Sequence, residues 1–166
     1  MDVKEIIKPD LIFKQMDFNT PEEVISFLAE KLTSNELVKS EFRPAVLERE
    51  KTFPTALFTG SINVAIPHTD VKYVNKPAIA IATLKHPISW RRMDKPEDDI
   101  PVSMVFMLAI VDPNEYVLFL SKLTTLFGKP DVLADLYNAN SNADMANILL
   151  ANLCGEEKQE NKNKED

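Results

Sequence analysis

His68 stands at the end of an apolar climb, "INVAIPHTDV" over residues 62–71, between Pro67 and Thr69. An imidazole with an unperturbed pKa of about 6.5 is mostly neutral at pH 7, and its lone pair can attack phosphorus. In open α/β sheets, ligands gather just outside the carboxyl ends of strands, which is where this histidine falls. Pro67 fixes a backbone dihedral beside it and limits how far the loop can wander. The same residue type also describes a loop histidine that only hydrogen-bonds locally. The chain has two histidines. The other, His86 in "LKHPISW", sits where a strand is expected to end before a proline, and it reads as structural or exposed.

Arg49 is the second residue with chemical potential. On a helix expected to start near Pro44, it lies three after Val46 and four after Ala45, and so shares their apolar face. An arginine facing inward needs an anion or a paired carboxylate. Alternatively it snorkels, or pairs with Glu48 or Glu50. Trp90 is open between core anchor and docking surface. A metal site is weakly supported, because His68 and Asp70 have no further histidine or cysteine pattern to complete one. No nucleophile-elbow motif is present for serine hydrolysis. Cys154 is alone, so no internal disulfide is expected and a reducing, cytoplasmic setting fits.

The elements that must position these residues are legible from periodicity. "NTPEEVISFLAEKL" is a helix capped by Thr20, with Pro21 first and Glu23 completing a capping box; Val24, Phe27, Leu28 and Leu32 form its apolar face. "RPAVLEREKTF" is a second helix. "LIFKQM", "INVAI", "AIAIATL" and "PVSMVFMLAIV" are expected strands, the last two apolar enough to be covered on both faces. "DPNEYVLFLSKLTTLFG" is a helix capped by Asp112, opened by Pro113 and closed by Gly128, followed by shorter helices in "PDVLADLY" and "NADMANILLANL". Interleaved strands and helices predict a single α/β domain over residues 1–154. "GEEKQENKNKED", residues 155–166, has no apolar residue and is expected to be a disordered tail. "RRMDKPEDDI" is expected to be an exposed loop joining two strands.

With 166 residues, 45% of them hydrophobic, the chain can build one sizeable core. Charges throughout the first seventeen residues leave no hydrophobic stretch for a signal sequence, and no apolar run is long enough to span a bilayer. A formal net charge of −7 argues against nonspecific nucleic-acid binding and suits a basic protein partner.

"LEREKTFPT" running into "FPTALFTGSINVAIPHTD" resembles the enzyme IIA domain of the bacterial phosphoenolpyruvate-dependent sugar phosphotransferase system, mannitol/fructose class. The matching features are Arg49-Glu50 at a helix end, Thr55 in the loop, and Ala65-Ile66-Pro67-His68. "IPVSMVFMLAIVDPNEYVLFLSKLTTLF" resembles that family's strand and following helix. The likeness covers nearly the whole chain except its charged tail. One departure is clear: many members carry a second histidine early in that helix, and Tyr116 holds the place here. A tyrosine hydroxyl can donate a hydrogen bond but cannot carry positive charge. The substitution, with the "VAIPHTD" and "FMLA" segments, looks nearest to the galactitol-type branch.

The resemblance implies a mixed β-sheet sandwiched between helices and a cytoplasmic phosphocarrier. His68 would take a phosphoryl group from HPr and pass it to a IIB component, working with a membrane IIC component that selects the sugar. No cofactor or metal is implied. Arg49 would neutralise the phosphoryl oxygens, Thr55 and Tyr116 would offer hydroxyls, and the helix opening at Asp112-Pro113 would aim its positive end at the anion. Phe58, Ile62 or Ile66 would form an apolar docking collar. The alternative function is a regulatory module of the same fold, whose histidine phosphorylation controls a protein partner.

Overall fold

Alternation along the two most apolar strands sets the architecture. The computed structural model describes residues 2–154 in full and the backbone alone of 155–165, so the expected tail over 155–166 lies outside the fully described residues. Strands β1 (Ile12–Met16), β2 (Ala56–Leu57), β3 (Asn63–Ala65), β4 (Ala78–Arg91) and β5 (Asp99–Ala109) form one sheet in the order β1-β4-β5-β3-β2. It is mixed: β1 and β4 run parallel, as do β3 and β5, while β4–β5 and β3–β2 are antiparallel. Helices α1 (Val3–Ile6), α2 (Pro21–Ser34), α3 (Phe42–Thr52), α4 (Pro113–Phe127), α5 (Pro130–Tyr137) and α6 (Asn142–Glu165) cover both faces.

Because successive strand side chains point to opposite faces, "AIAIA" divides between two cores. Ile79 and Ile81, with Met104, Phe106 and Leu108 of β5, pack under α1, α4, α5 and α6. Ala78, Ala80 and Ala82, with Val105 and Met107, pack under α2 and α3, where Leu28, Leu32, Phe42 and Val46 are buried. The expected α/β sandwich is therefore present, with β4 and β5 buried on both faces. Thr20 caps α2 as expected, its hydroxyl accepting the Glu23 N–H at 3.2 Å. Such a cap contributes about 1 kcal/mol. Glu23 returns a carboxylate to the Asn19 N–H, one residue before the cap.

Several boundaries differ from expectation. α3 starts at Phe42, and Pro44 occupies its first turn, where a missing N–H costs no helical bond. β4 does not stop at His86: it runs on to Arg91, and a register slip against β5 between Thr83 and Ile88 accommodates Pro87. His86 is exposed on this stretch. Arg91 and Asp99 pair as strand residues, leaving a shorter loop of 92–98. β2 was not expected, since two residues carry no periodicity.

Candidate functional site

Three chain segments meet at one end of the sheet, and the topology brings them there. β3 and β5 are parallel, so both end on the same side, and the Leu108 N–H donates to the Pro67 carbonyl at 3.1 Å beyond the last paired residues of β3. His68 follows immediately. The chain leaving β5 turns at Asp112 into α4, which sets the first turn of that helix beside His68. The chain leaving α3 passes through Phe53 and Pro54 into β2, whose Ala56 faces Ala65 of β3. The Ile66 N–H donates to the Thr55 carbonyl at 3.3 Å, which closes this third side.

The three segments form an open pocket whose lining includes Arg49, His68, Asp70, Pro113, Tyr116 and Val117. His68 Nδ1 lies 2.7 Å from the carbonyl oxygen of Ile66. A carbonyl only accepts, so Nδ1 carries the proton and Nε2 keeps its lone pair. Nε2 has no hydrogen-bond partner among the described residues. Burial lowers the His68 pKa below its ordinary 6.5; the Ile66 hydrogen bond opposes this, and the Arg49 charge adds to the lowering. At neutral pH the ring is an uncharged base with one ring nitrogen held and the other open.

Arg49 is exposed, not turned inward. The inward line of α3 runs from buried Phe42 and Val46 to half-buried Glu50, in steps of four, so the carboxylate next in sequence takes the inward place. Arg49 forms no ion pair among the described residues, with Glu48 or Glu50 or otherwise. Its guanidinium carbon lies 5.3 Å from the centre of the Phe53 ring.

Glu50, expected only as a possible partner for Arg49 and as part of the Arg49-Glu50 helix end, is a structural acceptor beside the site. Its Oε1 accepts from the Thr55 N–H at 2.8 Å and from Trp90 Nε1 at 2.6 Å, and the Thr55 hydroxyl donates to Oε2 at 3.0 Å. Burial raises its pKa above the ordinary carboxylate value, and the bonds from Trp90 and Thr55 oppose that rise. Trp90 is thereby a core anchor with a polar handle. Thr55 is buried and its hydroxyl is spent on Glu50; it does not line the pocket around His68. The signal that finds Glu50 is the 42–46–50 spacing.

Tyr116 packs its ring 5.0 Å from that of His68, centre to centre. Its hydroxyl is buried without a hydrogen-bond partner among the described residues, and burial raises its pKa well above 10, so it stays a neutral phenol. The first turn of α4 lines the pocket, but the Asp112 carboxylate already accepts the Asn114 N–H at 2.8 Å, which offsets the positive end of that helix. The Asp70 carboxylate caps the turn after His68 through the Lys72 N–H. Of the expected collar, Ile66 is core, Ile62 is part-buried against the core, and Phe58 is exposed with Arg92 over its ring. The exposed apolar residues nearby are instead Val117 at 66%, which lines the pocket, with Leu118 beside it, and Phe53 at 60%, which lines the adjoining hollow that shares Arg49.

Residues 5–152 match the family described as phosphoenolpyruvate-dependent sugar phosphotransferase system, EIIA 2. The chain is 30% identical over 155 residues to the 2-O-alpha-mannosyl-D-glycerate-specific EIIABC component of that system from Escherichia coli, covering 90% of this chain and 22% of the relative. It is 35% identical over 102 residues to the transcriptional regulator ManR of Bacillus subtilis, covering 61% of this chain and 14% of that one. The chain therefore spans about a fifth or less of the length of these relatives. Among solved structures, it superimposes with a TM-score of 0.70 and 26% identity on the E. coli complex of enzyme IIAMTL and phosphorylated enzyme IIBMTL, covering 88% of this chain and 95% of that one.

Proposed function

The chain belongs to the EIIA 2 family of the phosphoenolpyruvate-dependent sugar phosphotransferase system, and we propose that it works there as a cytoplasmic phosphocarrier with His68 Nε2 as the acceptor. The observation that carries this reading is the Nδ1–H held on the Ile66 carbonyl, leaving Nε2 open in a pocket that Arg49 also lines. The donor is phosphorylated HPr and the acceptor a IIB component; a membrane IIC component transports a sugar or polyol, of galactitol type or related. The complex of a IIA with a phosphorylated IIB among the similar structures supports the second partner.

In the loading step, the Nε2 lone pair attacks phosphorus in line with the bond to the HPr nitrogen. One N–P bond forms as the other breaks, and the electron pair of the broken bond returns to the HPr imidazole. The proton on Nδ1 stays on His68, shared with the Ile66 carbonyl. Delivery to IIB reverses the geometry. Arg49, with no carboxylate to neutralise it, offers its planar fork to the equatorial oxygens. Tyr116 is a hydroxyl donor to the same group, and Thr55 acts one step back, through Glu50. Phe53, Val117 and Leu118 form the apolar border against which partners dock transiently.

Incubation with phosphoenolpyruvate, enzyme I and HPr is expected to add one acid-labile phosphoryl group to the wild type and to His86→Gln, and none to His68→Gln. Loading of His68→Gln refutes the assignment. A second reading rests on the likeness to ManR: a regulatory module whose phosphorylation controls a protein partner. Retention of the label in the presence of phosphate-free IIB favours that reading over the carrier.

A further inference from the structure

Arg49 presents an unusual combination: it is exposed, it has no ion pair among the described residues, and yet it rests on an aromatic face. Long cationic side chains on a protein surface are ordinarily free to sample solvent. Here the ring that holds the guanidinium is Phe53, which is itself 60% exposed, so neither side chain is placed by core packing.

The backbone explains why Phe53 stays put. Its N–H closes the last turn of α3 on the Arg49 carbonyl at 2.7 Å, and it adopts φ −125° and ψ 78°. Pro54 disfavours the helical conformation at the residue before it, and the chain leaves the helix at Phe53. Beyond the proline, the Thr55 N–H and hydroxyl are both held by the Glu50 carboxylate. Residues 50–55 are therefore closed into a tight turn with Phe53 at its outer edge.

We propose that Phe53 is a positioning residue: a shelf that keeps the Arg49 guanidinium over the His68 pocket while leaving its charge unneutralised. A carboxylate in that place would also hold the arginine, but it would cancel the charge that the phosphoryl oxygens need. An aromatic face attracts the cation through its quadrupole and adds no net charge. Arg49 lines both the His68 pocket and the adjoining hollow that Phe53 borders, so the shelf and the pocket are continuous. The proposal rests on the phosphocarrier reading for its purpose, but the placement of Arg49 is testable without any phosphoryl transfer.

Phe53→Ala, Arg49→Gln and the double variant form the test, read by the rate of phosphoryl transfer from HPr and by NMR titration of the His68 ring. An exposed cation–π contact predicts that Phe53→Ala slows transfer roughly two- to fivefold. In the Arg49→Gln background the same change is expected to slow transfer less, by only what the Phe53 docking contact contributes. The His68 midpoint should rise in Phe53→Ala, towards that of Arg49→Gln, because the guanidinium no longer stands over the pocket; Asp70 and Tyr116, which also line it, are unchanged. Phe53→Trp should restore rate and midpoint together. Equal slowing in both backgrounds overturns the proposal and makes Phe53 a partner contact alone; an unmoved His68 midpoint also overturns it. If Phe53→Ala does not fold, Phe53→Leu, which keeps apolar bulk and loses the ring, gives the same contrast. Failure of the wild type to load from HPr refutes the carrier reading, while the titration still decides the shelf.

Discussion

At the scale of single residues, Tyr116 packs against His68 with a hydroxyl that the packing does not explain. A buried hydroxyl without a partner costs about 1–3 kcal/mol, and the Tyr116 hydroxyl is in that position among the described residues. Phe119, Leu120 and Leu123 continue its apolar series, so the ring alone would be accounted for by packing. The hydroxyl is not. If it donates to the phosphoryl group, Tyr116→Phe should slow transfer from HPr about fivefold, roughly 1 kcal/mol in the barrier. Thermal stability of the unphosphorylated protein should be equal or higher, since the orphaned group is gone. Unchanged transfer kinetics would leave Tyr116 as a packing residue. The same neutral phenol cannot supply the positive charge of an imidazolium, so on the proposed reading Arg49 is the cation that meets the phosphoryl group.

At the scale of elements, the join between α3 and β4 holds the site's shape. The Glu50 carboxylate accepts three donors, from the Thr55 backbone, the Thr55 hydroxyl and the Trp90 indole, and truncating it would leave all three without their acceptor. Glu50→Ala is therefore expected to lower stability by about 1–3 kcal/mol in denaturant unfolding, with slower phosphoryl transfer as Phe53 and Arg49 lose their seat. An unfolding midpoint equal to wild type would contradict this. Much of the element pattern was legible in the sequence, for physical reasons. The Thr20 and Asp112 caps, the Pro21 and Pro113 starts and the two-sided apolarity of β4 and β5 are local signals, and each is borne out. What failed to show was non-local. Pro87 looked like a strand end because the slip that absorbs it depends on the partner strand. Arg49 looked buried because a neighbour three residues away was apolar, while the inward line of α3 passes through Glu50. The Ile66 carbonyl that fixes the His68 tautomer has no residue-type signature at all.

At the scale of the whole molecule, the domain works as a frame that brings the end of β3, the last turn of α3 and the first turn of α4 to one edge. No helix among the described residues is long and apolar enough to cross a membrane. A net charge of −7 favours encounter with basic partner faces, and the apolar border of Phe53, Val117 and Leu118 suits contacts that form and release. On the proposed reading, this frame reserves Nε2 of His68 for the phosphoryl group by holding the proton on Nδ1. Long-range proton–nitrogen NMR of the 15N-labelled domain, before and after loading from phosphoenolpyruvate through enzyme I and HPr, tests it most directly. Phosphorus coupling is expected at Nε2 of His68, with Nδ1 protonated in both states. Phosphorus coupling at Nδ1, or at any residue other than His68, would contradict it.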